Sequence, residues 1–393
     1  MIRPIFFRWA SRMRHFLTFL LISLSALMLT SCDGFTLSGS SAGGGSSAGK
    51  VGHVFIIVLE NKNYAESFDA RPAPAPYLAQ TLPQMGMLLT QYYGIGHVSL
   101  DNYIAMVSGQ APNVQTQSDC QLYTDFIALP LPIAGDGQVI GTGCVYPSNA
   151  KTIGDQLQAA GLSWKSYAED MAASAGSGVP TSCRHPAVNA QDPWQSASAT
   201  DQYATRHVPF VYFHSVIDDQ ANCDARVVDL SVLDTDLQVI GTTPNYVFIT
   251  PDLCSDAHDE PCPDGRPGGY ASLNDFLATW VPKITNSPAF QKDGLLIVTF
   301  DEAEAVNQAA DATACCNEQA GYNTPLPGIT GPGGGRIGAV LVSPFIRPGS
   351  INDTPYNHYS MLRSVEDIFG LGYLGYAGQS GLKGFGTDVF NGP

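Results

Sequence analysis

Acidic and amide side chains recur in this sequence directly after apolar runs of strand length. Glu60 and Asn61 follow one such run, and Asp301 and Glu302 follow another. Carboxylate and amide oxygens are the ligands that hard divalent cations prefer. The carboxylates of the two strand ends, clustered together, would repel each other unless a cation held them, so the pattern predicts a metal site. A loop or capping role is the alternative for each pair taken singly.

A serine stands at the start of a predicted short helix between these two runs. Ser99 opens the segment SLDNYIAMVS. A helix N-terminus offers unpaired N–H groups and positive potential, which suit a phosphate and favour the alkoxide form of a serine. Asn102 is placed to donate its amide to the same phosphate oxygen. Ser99 therefore has two interpretations, a nucleophile or an ordinary N-cap.

Further candidates follow in the second half of the chain. Asp256 lies two residues before His258, and His358 precedes a predicted helix. Carboxylates, imidazoles and a hydroxyl nucleophile are the parts of a metal-assisted phosphoester hydrolase. That reaction class is therefore the hypothesis that these residue types support.

The elements that must position these residues are predicted from apolar runs rich in Val, Ile and Phe. The predicted strands are residues 53–59, 209–213, 246–250, 294–300 and 337–343. The predicted helices include residues 152–160, 272–284 and 359–369. Strands that are apolar on both faces indicate a sheet covered by helices on both sides. The prediction is a three-layer α/β/α sandwich with a mostly parallel central sheet, whose carboxyl edge gathers the polar residues.

The N-terminal part predicts export and tethering. Residues 1–31 combine four arginines with an apolar run, which is typical of a signal peptide. The segment LTSC fits a lipobox and predicts lipidation of Cys32, with an ordinary signal peptide or an uncleaved anchor as alternatives. Residues 32–50 form a Gly/Ser-rich tether, and 51–393 are expected to be one catalytic domain. The predicted location is the cell envelope, periplasmic or on the cell surface, with the membrane as a partner through the lipid.

Charge and cysteine content narrow the class of protein. The chain has 35 acidic and 19 basic residues and a formal net charge of −16, so a nucleic-acid partner is not expected. Eight cysteines follow Cys32, and an even number in an exported chain favours disulfides. Sequential pairing is the simplest arrangement, although a Cys315–Cys316 bridge needs an unusual peptide geometry. A zinc–thiolate site is the alternative, disfavoured because no CxxC pair is present.

Eight segments in order give the chain a resemblance to a known family. They are HVFIIVLENKNY, HVSLDNYIAMVSG, SWKSYAEDM, RHVPFVYF, TPDLCSDAHD, LLIVTFDEAEA, GRIGAVLVSPFIRPG and YNHYSMLRSVEDIFGLG. The chain resembles the bacterial phosphoesterases that include secreted acid phosphatases, phosphatidylinositol-3-phosphate phosphatases and phospholipases C, within the alkaline phosphatase superfamily. The resemblance implies an alkaline-phosphatase-like fold.

The resemblance also implies a metal centre and a nucleophile. The implied ligands of the metal are Glu60, Asn61, Ser99, Asp301 and Glu302. Ser99 would attack phosphorus and form a phosphoserine. The metal would be calcium, magnesium, manganese or zinc. One metal site is favoured over two, because Glu302 stands where two-metal relatives have a histidine.

Other residues would act on the phosphate. Asn102 would bind a nonbridging oxygen, while His207 and His258 would contact the phosphate or protonate the leaving group. The candidates for a second metal or further phosphate contacts are Asp252, Asp256 and His358. For His207 the alternative is a satisfied structural donor, and for His358 a helix cap.

Three functions stay open at this point. The leading one is a metal-dependent acid phosphatase acting on phosphate monoesters, with phospholipids or phosphoinositides among its substrates. The second is a phospholipase C that cleaves phosphatidylcholine-type diesters. The third is a noncatalytic lipid-anchored envelope protein on a hydrolase scaffold, since a fold does not imply an activity.

Overall fold

An eight-stranded sheet forms the centre of the fold. The computed structural model describes residues 50–392 except 175, 177 and 305–310, and it leaves out the side chains of 130–133. The predicted signal peptide, Cys32 and the tether up to residue 49 lie outside the described residues. None of the helices in the described part is long and apolar enough to span a membrane.

The described elements alternate along the chain as an α/β protein requires. The strands are β1 (His53–Leu59), β2 (Met87–Leu89), β3 (Tyr92–Tyr93), β4 (Ile127–Ile133), β5 (Val139–Thr142), β6 (Trp164–Ala168), β7 (Val227–Asp229), β8 (Tyr246–Thr250), β9 (Gly294–Phe300), β10 (Ala339–Val342), β11 (Ser350–Asn352) and β12 (Tyr356–Asn357). The α-helices are α1 (Leu82–Met85), α2 (Ser99–Ser108), α3 (Ile153–Ala159), α4 (His214–Ile217), α5 (Gln220–Arg226), α6 (Leu233–Asp236), α7 (Gly269–Thr285), α8 (Pro288–Asp293) and α9 (His358–Phe369).

The strand order in the large sheet is β11-β2-β10-β9-β1-β8-β6-β7. The pairs β9–β1, β1–β8, β8–β6 and β6–β7 are parallel, and only β10 pairs antiparallel with its two neighbours. All seven residues of β1 and of β9 are buried, as strands covered by helices on both faces must be. The prediction of a mostly parallel sheet with flanking helices is confirmed.

One predicted strand is wrong. Residues 209–213 are mainly a 3₁₀ helix, Pro209–Tyr212, with the proline at its start. Proline has a fixed φ and no N–H, which suits the first turn of a helix and not a central strand. Phe210 packs against Trp164 with 4.5 Å between the ring centroids, so the apolar run reflects burial and not strand pairing.

The cysteines pair in sequence order. The disulfides are Cys120–Cys144, Cys183–Cys223, Cys254–Cys262 and Cys315–Cys316. Sequential pairing is confirmed, including the bridge between adjacent residues. All eight thiols are consumed, so the alternative of a zinc–thiolate site is wrong.

A buried acid in α9 makes the stability of the fold depend on pH. Glu366 is fully buried, and its Oε2 has no hydrogen-bond partner. Burial raises the pKa of Glu366 to about 8 from an ordinary value of 4.5. The folded state therefore favours the protonated acid. Protonated Glu366 makes its full contribution to the free energy of unfolding below the unfolded-state pKa. That contribution is lost as the pH rises through about 8.

Glu366→Gln is expected to raise the free energy of unfolding at pH 8.5 by about 1–3 kcal/mol, because the neutral amide removes the cost of a buried charge. At pH 5 the two proteins should differ by less than about 1 kcal/mol. Denaturant unfolding at both pH values measures the difference, with the exposed Glu66→Gln as control. An equal change at both pH values would contradict the assignment.

Candidate active site

The carboxyl ends of three neighbouring strands build the site. Leu59 of β1 pairs with Phe300 of β9, so the next residues, Glu60 and Asp301, leave the sheet side by side. The backbone N–H of Asn61 donates to Asp301 Oδ1 at 3.0 Å. On the other side of β1, the Glu60 N–H donates to the carbonyl of Asp256 at 2.9 Å. The strand-end residues are thus brought together at one edge, as parallel sheets require.

Ser99 lies against the buried carboxylate of Glu60. Its Oγ donates to Glu60 Oε2 at 2.8 Å, and Tyr103 one turn along α2 donates its hydroxyl to Glu60 Oε1 at 2.6 Å. Val98 occupies the N-cap position, and no side chain makes a capping bond there. The N-cap interpretation therefore does not describe Ser99, whose hydroxyl is held by a carboxylate that can accept its proton.

The backbone just before Ser99 is strained. Val98 has φ 83° and ψ 131°, which is costly for a β-branched residue. Glu302 holds this turn, since its Oε1 accepts from the Val98 N–H at 3.0 Å and its Oε2 is hydrogen-bonded to the ring of His97. Strain of this kind concentrates at functional sites, where the surrounding contacts impose it. In this structure, Glu302 shapes the loop that presents Ser99.

Asn102 is bonded to the same loop. Its Oδ1 accepts from the N–H groups of Ile95 and Gly96 at 2.8 and 3.0 Å, and its Nδ2 donates to the carbonyls of Gly96 and Val98. The amide that was expected to bind a phosphate oxygen is therefore engaged by backbone. The structure supports a loop-holding role for Asn102 and gives no support to the phosphate contact.

His207 lies between two carboxylates. Its Nε2 is 3.3 Å from Glu60 Oε1, and its Nδ1 is 3.3 Å from Asp256 Oδ2, but neither contact is aligned as a hydrogen bond. The ring stacks on Tyr103 at 5.1 Å. Burial, with the nearby positive charge of Arg206, lowers the pKa of His207 well below its ordinary value, so the ring is neutral. A neutral imidazole flanked by carboxylates is suited to metal coordination.

The residues present fit a divalent cation. Glu60, His207 and Asp256 are buried, and one potential ligand atom from each lies within 4.8 Å of the others. Asp256 Oδ2, Asp301 Oδ2 and both ring nitrogens of His207 are buried without hydrogen-bond partners. Burial first, and then a neighbouring carboxylate, raises the pKa of Glu60, Asp256 and Asp301 well above the ordinary range. A bound cation would satisfy these oxygens and nitrogens together.

This ligand group differs from the predicted one. Glu60 belongs to both, and Asp301 lies next to the group with one free oxygen. Asp256 was expected to serve a second site, and His207 was expected to act on the phosphate. In the structure His207 lies between Glu60 and Asp256. His207 and Asp256 are 49 residues apart in the chain. No sequence pattern signals a contact of that range.

Two of the predicted second-site residues are engaged elsewhere. Asp252 Oδ1 accepts from the N–H groups of Cys254 and Ser255, and its Oδ2 pairs with Arg266 Nη2 at 2.9 Å. His358 Nε2 donates to the carbonyl of Asp301 at 2.5 Å, and burial lowers the pKa of its ring to about 4. The expectation of metal or phosphate contacts is therefore not supported for either residue. Asp252 holds its own turn, and His358 fixes the backbone beside the site.

His258 marks the open side of the site. A third of its side chain is exposed, and its Nδ1 is 2.7 Å from Asp259 Oδ1. Its Nε2 is 3.4 Å from Nη2 of Arg206, a buried residue that the sequence analysis did not single out. The only signal for Arg206 was its place in the RHVPFVYF segment. Buried carboxylates need positive charge nearby. Charge balance could therefore have suggested that a buried basic side chain belongs to this site.

The chain is similar to one family of known proteins. The model of the phosphoesterase family matches residues 66–372. The chain belongs to the phosphoesterase family. Its match with the phosphate-repressible acid phosphatase of Penicillium chrysogenum is 26% identical over 312 residues, covering 79% of this chain and 59% of that one. The phosphatidylinositol-3-phosphatase of Mycobacterium tuberculosis is 25% identical over 328 residues, covering 83% and 79%.

This phosphoesterase therefore spans less than two thirds of the length of that acid phosphatase. Among solved structures, a protein in the alkaline phosphatase superfamily from Vibrio parahaemolyticus aligns with a TM-score of 0.47 and 13% identity, over 82% of this chain and 67% of that one.

A roomy cavity of the phosphoesterase lies away from the acidic cluster. It has a volume of about 710 Å³, and its wall includes Asp136, Tyr373 and Tyr376. It adjoins the C-terminal end of α2, where the Tyr376 N–H donates to the carbonyl of Gly109. Ser99 stands at the opposite end of that helix. The cavity is therefore separate from the buried acidic cluster at Ser99.

Proposed function

We propose that this protein is a metal-dependent acid phosphatase that hydrolyses phosphate monoesters through a phosphoserine at Ser99. The observation that carries the proposal is the 2.8 Å hydrogen bond from Ser99 Oγ to the buried carboxylate of Glu60. That carboxylate shares its other side with His207 in a group that fits a divalent cation. The acid phosphatases among the relatives support the choice of monoesters.

The two oxygens of Glu60 serve different partners. Oε2 accepts the hydrogen bond from Ser99 Oγ, while Oε1 faces the ring of His207. The Oε2 atom of Glu60 already holds the Ser99 hydroxyl, so this carboxylate is placed to take up the proton when Ser99 attacks. The positive end of the α2 dipole favours the developing alkoxide. A divalent cation held by Glu60, His207 and Asp256 would polarise a phosphoryl oxygen and offset the negative charge of the carboxylates.

His258 is the residue proposed to handle the leaving-group proton. Its ring lies at the open side, where an alcohol must leave and water must enter. The hydrogen bond between Nδ1 and Asp259 Oδ1 fixes the ring orientation. In the first step the ring, once protonated at Nε2, gives that proton to the departing oxygen. In the second step the neutral Nε2 takes a proton from the water that attacks the phosphoserine, and Glu60 returns the proton it took in the first step to the departing Ser99 oxygen.

We further propose that the enzyme works outside the cytoplasm, anchored by a lipid on Cys32. The four disulfides support an oxidising compartment. The N-terminal pattern of basic and apolar residues supports export. Phosphoinositide headgroups are a proposed substrate class, supported by the relative from Mycobacterium tuberculosis. A lipid anchor would hold the site near such substrates.

A comparison of two chromogenic esters tests the substrate class. We expect p-nitrophenyl phosphate to be hydrolysed at least about 100-fold faster than p-nitrophenyl phosphorylcholine, in line with the acid phosphatases among the relatives. A chelator should abolish the hydrolysis, and added divalent metal should restore it. Preference for the choline diester would replace the proposal with a phospholipase C. No release from either ester by metal-loaded protein would favour a noncatalytic protein.

A further inference from the structure

Arg206 is a buried cation inside an otherwise acidic site. Its side chain is only 4% exposed, and it stands directly before His207 in the 3₁₀ turn Thr205–His207. The negative charges of Asp119, Glu60 and Asp256 all favour its positively charged form. Removing a guanidinium from water is costly unless its N–H groups are used, so the position of Arg206 calls for partners.

Two edges of the guanidinium are held by the protein. Nη1 donates to the carbonyl of Gln195 at 2.8 Å, and Nε lies 3.5 Å from Asp119 Oδ2. Asp119 is itself fixed, since its Oδ1 accepts from the Leu100 N–H in the first turn of α2 at 3.0 Å. The carbonyl of Asp119 also accepts from Gln195 Nε2 at 3.1 Å, which closes a ring around the arginine. The guanidinium is therefore held in a fixed orientation before any ligand binds.

The remaining edge points toward the open side of the site. Nη2 lies 3.4 Å from His258 Nε2, a long contact for a hydrogen bond. The ring of His258 is one third exposed, so a ligand that reaches His258 also reaches this edge. A guanidinium N–H forms strong, charge-assisted hydrogen bonds with phosphate oxygens.

From this arrangement we propose that Arg206 binds a nonbridging oxygen of the substrate phosphate through Nη2, with Asp119 and Gln195 as the residues that position it. The inference rests on the proposed phosphatase function and names the residue that offsets substrate charge. It assigns to Arg206 the phosphate contact that Asn102, bonded to its own loop, does not offer in this structure.

Inorganic phosphate is the probe that tests the assignment. In the full-length, metal-loaded protein, Arg206→Met is expected to raise the inhibition constant of phosphate by about 10- to 100-fold, the usual effect of losing a charged hydrogen bond. The KM for p-nitrophenyl phosphate should rise by a similar factor. Arg206→Lys should recover part of the affinity, because it restores the charge without the planar fork.

A matched control removes a positive charge elsewhere. Arg226 precedes β7, at the amino edge of the sheet, and donates through Nε to Asn222. Arg226→Met should leave the inhibition constant within twofold of wild type. Asp119→Asn keeps Arg206 and weakens its support, so we expect a rise of about three- to tenfold in that constant.

The outcomes separate the inference from the proposed function. If wild type does not hydrolyse the monoester, the proposed function fails, and the inference is then judged by the rise in Tm that phosphate produces in wild type and in Arg206→Met. If wild type is active and both Arg206 variants bind phosphate within twofold of wild type, the inference is overturned. Should Arg206→Met fail to fold, an unchanged inhibition constant in Arg206→Lys and Asp119→Asn overturns it equally.

Discussion

Replacing Ser99 with alanine is expected to lower kcat for p-nitrophenyl phosphate by about 10⁴-fold or more, the scale seen when a nucleophile is removed. The hydroxyl that Glu60 Oε2 holds at 2.8 Å would be gone. The group of Glu60, His207 and Asp256 is untouched by the change. Metal content should therefore stay at the wild-type value.

Steady-state kinetics together with metal analysis check this expectation. Ser108→Ala is the matched control, because Ser108 lies in the same helix and bonds only to the carbonyl of Ile104, at 2.6 Å, and to the N–H of Gln110. It should keep kcat within a few-fold of wild type. A Ser99→Ala protein that retained a tenth of wild-type kcat would remove Ser99 from the nucleophile role. Loss of the metal along with the hydroxyl would instead favour the ligand role that the family resemblance implies.

Glu60→Gln is expected to abolish metal binding and hydrolysis together. The amide keeps the shape of the side chain but loses the charge that a divalent cation requires, so metal affinity should fall by at least about 100-fold. Activity at limiting metal should fall in parallel. In the metal-free protein the same change should raise Tm, because burial and the charge of Asp301 destabilise the carboxylate, as the raised pKa of Glu60 shows.

Metal stoichiometry and thermal unfolding with and without chelator measure both effects. Glu66→Gln is the control, because Glu66 is an exposed acid only six residues after Glu60. This variant should match wild type in both measurements. Full metal stoichiometry in Glu60→Gln would contradict the ligand assignment. So would a lower Tm of the metal-free variant, because it would mean that the carboxylate stabilises the fold without a cation.

The central strands could be predicted because their burial is continuous. The runs at β1, β8 and β9 are apolar on both faces, and the structure places them side by side. The run at 209–213 had the same composition, but Pro209 and the packing of aromatic rings made it a 3₁₀ helix. The short edge strand β7 was not predicted, since three residues carry too little periodicity to be recognised.

The site could be predicted only as far as strand ends determine it. Glu60 and Asp301 meet because β1 and β9 are parallel neighbours, a relation that follows from the fold class. The position of His207 depends on how a loop outside the sheet packs, and the sequence does not encode that in any local pattern. Asp252 and Asp256 show the same limit. They lie four residues apart, yet one caps a turn and the other contacts His207.

Side-chain roles were the least predictable part. Asn102 and Glu302 are near Ser99 as expected, but their hydrogen bonds go to the loop before it, to its backbone and, for Glu302, also to the ring of His97. Spacing along a helix or strand places a residue and does not decide which of its neighbours its polar atoms will bond. Arg206 shows the converse, since its role depends on Asp119, 87 residues earlier in the chain.

The stereochemical course at phosphorus tests the central claim most directly. A monoester made chiral with oxygen isotopes is incubated with the enzyme and an alcohol acceptor, and the configuration of the transferred phosphate is determined. Attack by Ser99 followed by attack on the phosphoserine inverts the configuration twice, so the account predicts overall retention. Overall inversion would mean a single direct displacement and would contradict a phosphoserine intermediate at Ser99.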